Sequence, residues 1–224
     1  MTEQLVLQLP LRRRWTPERF VGEALQNLRA SAEVLHWIDG PESAGKSHLL
    51  VALCQQAERE NRSSMYIDLG ATQGAEALTA IHHVEVIALD NVDRVLEDPH
   101  WALALYGLIN SLQQRGQKVR AYWAAQKPAS DLRFATEDLA SRCRAMLPHS
   151  LNVLDDDQKV KVLHRIAEDE GFELPPAAAR YLIERSTRDL TALAQVLNRV
   201  ASASLRDKRK VTLPLVRQVM AQQR

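Results

Sequence analysis

Cysteine is nearly missing from this chain: Cys54 and Cys143 are the only two in 224 residues. They lie far apart, with no Cys or His at metal-ligand spacing, which argues against a disulfide framework or a structural metal and leaves two reduced thiols. Long apolar runs are missing too. No stretch approaches the ~20 residues needed to span a membrane. The N-terminus lacks the charged-then-apolar layout of a signal peptide, so a cytoplasmic protein without membrane partners is expected. There is no charge excess of either sign, with 29 Lys plus Arg against 28 Asp plus Glu. Bulk charge therefore gives no sign of an acidic tail or of strong direct DNA binding, and the triplet Arg12-Arg13-Arg14 reads as a solvated tail. No internal repeat or low-complexity tract appears. What is present is ordinary for a globular protein, 46% hydrophobic and 25% charged residues, in a chain long enough for one α/β domain plus a smaller appendage.

Apolar periodicity supplies the elements. Residues 1–15 read as a tail in which Leu5, Val6, Leu7, Leu9 and Leu11 interleave with Gln and Pro. A helical stretch over Val21 to Ala30 precedes an apolar segment, Val34 to Ile38. From Lys46 to Arg59 the residues Leu49, Leu50, Leu53 and Ala57 recur at helical spacing. Short buried strands are expected at Met65–Leu69, Val84–Leu89, Val119–Ala124 and Leu151–Leu154, with a helix from Trp101 to Arg115 closed by Gly116. His82-His83, just before a strand, reads as loop polarity. Strands alternating with helices indicate a parallel α/β sheet. After Leu154 no strand signal remains: Asp155-Asp156-Asp157 can cap a helix to Glu170, Pro175-Pro176 opens another, and Asp189–Leu205 and Leu213–Gln222 follow.

One motif carries chemistry. Gly40-Pro41-Glu42-Ser43-Ala44-Gly45-Lys46-Ser47 follows a strand and opens a helix, as a phosphate-cradling P-loop requires. The glycines let the backbone curl so that N–H groups point at phosphate oxygens. Lys46 would reach the β- and γ-phosphates, Ser47 would offer its hydroxyl to Mg²⁺, and the helix would present its positive end. The partner acid is expected at the end of a buried strand, and Val86-Ile87-Ala88-Leu89-Asp90 supplies Asp90. Asn91 follows where many ATPases have a second acid to orient water; an amide cannot act as a base, so slow intrinsic hydrolysis is expected.

These elements in this order resemble an AAA+ ATPase of the initiator branch that includes the replication initiator DnaA. The resemblance runs from about Phe20 to the C-terminus. It rests on the P-loop with His48-Leu49-Leu50 behind it, on Leu89-Asp90-Asn91-Val92, on Gln126-Lys127-Pro128, on Asp138-Leu139-Ala140-Ser141-Arg142, and on Ser186-Thr187-Arg188-Asp189-Leu190 followed by Asn198-Arg199-Val200. It implies a P-loop AAA+ domain with a five-stranded parallel sheet over 16–154, a small all-helical lid over 155–224, and bound ADP or ATP. DnaA carries a C-terminal DNA-binding domain, whereas this sequence stops at Arg224 after the lid. The expected relative is thus a regulator that switches the initiator off.

Residue roles follow from the resemblance. Gln4-Leu5-Val6-Leu7-Gln8-Leu9 resembles the peptide by which such proteins dock on the β sliding clamp of DNA polymerase III, with Gln4, Leu5, Leu7 and Leu9 as contacts; Gln8-Leu9-Pro10-Leu11 is a second register. Arg142 matches the arginine finger presented to DnaA, with Arg144 as competitor, and Arg188 matches the lid arginine that touches the chain's own nucleotide. Gln126 and Asn91 depart from the family's acidic residues, which puts efficient ATP hydrolysis in doubt and leaves the cradle intact. Two alternatives stay open: a free-standing loader or remodelling ATPase, and a nucleotide-dependent adaptor without catalytic input. Self-association is left open by the sequence.

Overall fold

The computed structural model describes residues 15–81, 83–185 and 190–221. It divides into two compact units, the first ending at Asn152 and the second starting at Val153. The first is built on five parallel strands, β1 (Leu35–Asp39), β2 (Ser64–Asp68), β3 (Val86–Asp90), β4 (Arg120–Ala125) and β5 (Leu147–Ser150). They lie side by side in the order β2-β3-β4-β1-β5.

Its helices are α1 (Ala24–Ala30), α2 (Lys46–Arg59), α3 (Pro99–Arg115) and α4 (Glu137–Arg144). Strand side chains alternate between two faces, and each face meets its own helices. Ile38, Val86, Ala88, Tyr122 and Ala124 join the core that holds Leu28 of α1 and Leu49, Leu50 and Leu53 of α2. Trp37, Ile87, Leu89, Ala121 and Trp123 join the core that holds Leu105, Ile109 and Leu112 of α3 and Leu139 and Cys143 of α4. A sheet buried on both faces explains why β3 is an unbroken apolar run. Local chemistry sets the helix ends. Asp98 caps α3 by accepting from the N–H groups of His100 (2.7 Å) and Trp101 (3.3 Å), Pro99 sits in the first turn, and Gly116 (φ 59°) ends the helix.

β5 differs from the expected Leu151–Leu154: it lies at Leu147–Ser150 and is largely exposed. As an edge strand it pairs with β1 alone, so its backbone hydrogen bonds, and not apolar burial, hold it. That is why it tolerates Pro148 and why hydrophobic patterning misplaced it. Leu151 instead ends the pairing, its N–H donating to the Asp39 carbonyl at 2.7 Å, and packs in the α1–α2 core. His36 of β1 and His149 of β5 also bond across this edge, Nδ1 to Nε2 at 3.1 Å. His83 lies exposed in a turn; His82 is outside the described residues.

The second unit is all helix: α5 (Asp156–Asp169), α6 (Pro176–Arg185), α7 (Leu190–Asp207) and α8 (Leu213–Ala221). Asp155 and Gln158 form a reciprocal capping box at the head of α5, at 2.7 and 3.0 Å, a device worth about 1 kcal/mol. Leu163, Leu182, Leu197, Val200 and Val216 from the four helices fill its own core. Among the described residues no helix is long and apolar enough to cross a membrane.

Candidate functional site

The loop from Gly40 to Gly45 joins β1 to α2 at the C-terminal edge of the sheet. A Cβ at Gly40 would meet the Leu151 carbonyl oxygen at 2.5 Å and the Ala44 methyl at 3.3 Å, so only glycine passes between the loop and the chain leaving β5. Ser43 (φ 64°) and Gly45 (φ 90°) take left-handed conformations, which turn the backbone sharply into the first turn of α2. The amides of that turn have no partner within the helix and, with the helix dipole, suit an anion. Lys46 is buried in the curl, its ammonium donating to the carbonyls of Gly40 (2.6 Å) and Pro41 (2.8 Å). Burial holds its pKa below the usual lysine range, opposed by the carboxylates of Asp90, Asp93, Glu42 and Asp39. A cradle that a methyl group would fill, with a cation folded across its mouth, fits a polyphosphate.

The acids come from three strand ends, those of the neighbours β2 and β3 and that of β1, one strand further along beyond β4. Asp90 closes β3 and is almost wholly buried. Its Oδ2 accepts from the Tyr66 hydroxyl at 2.7 Å and its Oδ1 from the Asn91 N–H at 2.9 Å. Asn91 takes a left-handed backbone (φ 55°) that asparagine tolerates, and its side-chain amide donates to Asp68 Oδ1 at 2.7 Å. The position next to Asp90 is thus occupied by a donor committed to β2. Asp39, closing β1, accepts from the Ser150 hydroxyl at 3.2 Å. Asp93 Oδ1 is buried without a hydrogen-bond partner among the described residues, although its charge acts on Lys46. Sequence reasoning missed Tyr66, Asp68 and Asp93. The three-residue offset from Asp90 to Asp93, one turn of the short helix at Val92–Arg94, is the signal that could have found the last.

His48, two residues into α2 from Lys46, faces the segment before α1. Its Nε2 pairs with the Thr16 carbonyl at 3.1 Å, Trp15 stacks on it at 6.3 Å and Phe20 meets it edge-on at 5.5 Å. Burial pushes its pKa down, against that carbonyl bond, so the ring is a neutral anchor near physiological pH. Glu18 and Arg59 form an ion pair that ties the same segment to the far end of α2, and the Arg59 hydrogen bond draws the Glu18 carboxyl down to about 2.

The two candidate finger arginines sit in the last turn of α4 and differ in company. Arg144 is committed: its guanidinium bonds Glu137 at 2.8 Å and lies 5.8 Å from the Phe134 ring centre. Arg142 meets only a neutral amide, Gln113 Oε1 of α3 at 3.2 Å, so among the described residues its charge is not neutralised. Gln126 is exposed just beyond β4, at the same sheet edge as the loop.

Comparison with known proteins gives this arrangement a fold. Domain III of the replication initiation protein DnaA from Thermotoga maritima superimposes with a TM-score of 0.75 at 18% identity, over 93% of this chain and 96% of that one. Residues 156–220 match the family model for the Hda lid domain. The chain shares the α/β AAA+ fold of that DnaA domain, and its helical unit matches the Hda lid model. The fold is shared more widely: AMPPCP-bound DnaA from Aquifex aeolicus matches at TM-score 0.65 and 19% identity over 82% of this chain and 64% of that one. The Thermotoga maritima RuvB Holliday junction branch migration motor matches at 0.70 and 18% over 94% and 72%.

Within the Hda-type lid, α6 ends at Arg185 and α7 begins at Leu190, and Arg188 falls between them, outside the described residues. Gln4, Leu5, Leu7 and Leu9 lie outside them as well. Gly40, Pro41, Glu42, Ser43, Ala44, Gly45, Lys46, Ser47, His48 and Asp90 are brought to one edge of the DnaA-like sheet unit. Among the described residues no three His, Cys, Asp or Glu side chains gather to cage a metal. A Mg²⁺ at Ser47 and Asp90 would depend on phosphate oxygens and water for its remaining ligands, the usual habit of that ion.

Proposed function

We propose that this chain is a nucleotide-dependent negative regulator of replication initiation, acting on DnaA. The observation that carries this reading is the Hda-type lid behind a DnaA-like sheet unit. AMPPCP is bound by a DnaA of the same fold, and the curled loop with Lys46 at its mouth suits the phosphates of ADP or ATP. In this reading residues 40–48 hold the phosphates, Ser47 and Asp90 hold Mg²⁺ when it is present, and Arg188 of the lid touches the same nucleotide. Bound Mg²⁺ would neutralise phosphate charge. Asn91, an amide committed to Asp68, gives no base beside Asp90, so the chain's own turnover is slow and its nucleotide is chiefly structural.

The catalytic contribution is made in trans. Arg142, whose charge among the described residues meets only Gln113, is presented to the ATP of DnaA, where a guanidinium stabilises charge on the transferring phosphoryl group. The peptide Gln4–Leu9 docks on the DNA-loaded β clamp of DNA polymerase III, its leucines entering an apolar pocket and Gln4 bonding at the rim.

The test is ATP hydrolysis by purified DnaA with clamp loaded on DNA, with and without this protein. Stimulation should fall roughly 10³-fold for Arg142→Ala and vanish on deletion of residues 4–9. Arg144→Ala should keep most of it. Undiminished stimulation by Arg142→Ala would remove the finger. No stimulation by the intact chain, with nucleotide still bound, would favour an adaptor. Likeness to a branch migration motor supports a second reading, a remodelling ATPase; that reading requires rapid turnover by the chain alone, lost in Lys46→Ala.

A further inference from the structure

At the opposite, N-terminal edge of the sheet the first unit holds a cleft of about 400 Å³, large enough for a small molecule and remote in the fold from the P-loop. Leu53 and Ala57 of α2 and Val86 of β3 form its apolar side, and Tyr122 of β4 lies in it. Three guanidiniums ring it: Arg29 from α1, Arg62 before β2 and Arg120 at the start of β4. One carboxylate opposes them. Glu60 is already engaged, accepting from Arg29 at 3.2 Å and from Gln56 at 2.8 Å. Arg120 bonds only neutral acceptors, the carbonyls of Gln117 and Val119 and the Gln117 side chain. Arg62 makes no side-chain hydrogen bond or ion pair among the described residues.

Tyr122 gives the second, independent observation. It is 4% exposed, and its ring is fixed by stacking on His36 at 5.0 Å. Its hydroxyl makes no hydrogen bond among the described residues, and Tyr122 lines the cleft, so the O–H is open to a ligand there. Burial raises its pKa to about 12 despite the charges of Arg120 and Arg62 beside it, so the group is a permanent O–H donor. The ends of α1 and α2 point their carbonyls toward this side and oppose an anion. Any anion bound here is therefore held by the guanidiniums and the phenol, and by them specifically.

The geometry points to a binding site for a small molecule that carries an oxyanion, carboxylate or phosphoryl, on an apolar body. The oxyanion is held by Arg62 and Arg120 and accepts from the Tyr122 hydroxyl, while the apolar part lies against Leu53, Ala57 and Val86. Guanidiniums suit either oxyanion through paired N–H donors.

The test uses the methyl resonances of Ala30 and Ala57, which line the cleft, with Ala44 as reporter of the P-loop. The full chain without nucleotide is titrated with citrate and, separately, with inorganic phosphate. Saturable shifts at Ala30 and Ala57 are expected, and whichever probe binds tighter identifies the carboxylate or phosphoryl source. Arg62→Gln and Arg120→Gln should each weaken binding about tenfold, and Tyr122→Phe about threefold. Arg62 is a surface side chain, so its variant keeps the test alive if Tyr122→Phe folds poorly. Shifts confined to Ala44, shifts that do not saturate, or identical binding by Arg62→Gln would overturn the site and leave an adventitious ion only.

Discussion

The two edges of the parallel sheet are charged in opposite senses. At the C-terminal edge β1, β2 and β3 each end in an aspartate, Asp39, Asp68 and Asp90, and Asp93 and Glu42 stand nearby around a single ammonium, Lys46. At the N-terminal edge Arg62, Arg120 and Arg29 surround one carboxylate, Glu60. Helix ends run the other way, because α2 presents its positive terminus to the acids and its negative terminus to the arginines. Each edge thus opposes side-chain charge to backbone dipole, and neither local excess is visible in the whole-chain net charge of +1. A balanced total says nothing about local fields. It also separates two kinds of anion site: backbone amides hold phosphates where the side chains are acidic, and side chains alone must hold an anion where the backbone is unhelpful.

The largest expected effect comes from removing the cation buried in the loop at the acidic edge. Lys46→Ala leaves four carboxylates facing a phosphate site without a counter-charge. ADP affinity measured by titration calorimetry should drop roughly 100-fold or more. Gly40→Ala attacks the same edge through shape, since the new methyl group would press on the Leu151 carbonyl; it should lower nucleotide affinity and thermal stability together. Arg62→Gln, at the other edge, should leave ADP affinity within about twofold, because the 14 residues of α2, about 21 Å of helix, separate it from the P-loop and salt screens exposed charges over about 8–10 Å.

How much of this was legible in the sequence depends on whether a feature is contiguous. The P-loop is eight consecutive residues, and α2 begins at Lys46 and ends at Arg59 as its periodicity requires. Asp155 and Gln158 cap α5 from neighbouring positions. The buried run of β3 is visible because both its faces are covered. β5 was misplaced because an edge strand is chosen by backbone pairing with β1, and its exposed Leu147 and Pro148 and half-buried His149 carry no apolar pattern. Features assembled across elements were invisible for a similar reason. Asn91 finds Asp68 only when β2 lies beside β3, Tyr66 reaches Asp90 from the same neighbouring strand, and the arginine cleft draws on α1, α2, β3, β4 and the turn before β2.

Acid should weaken the N-terminal edge through His36. The ring is fully buried between the Glu33 carbonyl, His149 and Tyr122. Burial foremost, with the charges of His149 and Arg120 added and the Glu33 bond opposing, lowers its pKa from 6.5 to about 4. A folded value below the unfolded one means that the unfolded chain takes up a proton first as pH falls. The stabilising contribution is complete above pH 6.5, declines between 6.5 and 4, and is lost below. At full extent this amounts to about 3 kcal/mol. Urea midpoints at pH 7, 5.5 and 4.5 should fall more steeply for the native chain than for His36→Gln. Parallel slopes would show that His36 titrates normally and that the edge is open to water.

A small gain in affinity is the most discriminating effect at the acidic edge. Asp93 has a buried oxygen without a hydrogen-bond partner among the described residues, and its charge helps keep Lys46 protonated. It also repels any phosphate that Lys46 attracts. Bound phosphate itself holds an ammonium in its charged form, so with nucleotide present the repulsion is what remains. Asp93→Asn keeps the shape and removes that repulsion. Partial screening at the edge limits the gain to about threefold tighter ADP binding, near 0.7 kcal/mol. Weaker binding by the same variant would reverse the reading: Asp93 would then be a ligand-facing acid that the site needs, standing three residues beyond Asp90 in the place that Asn91 leaves without a carboxylate.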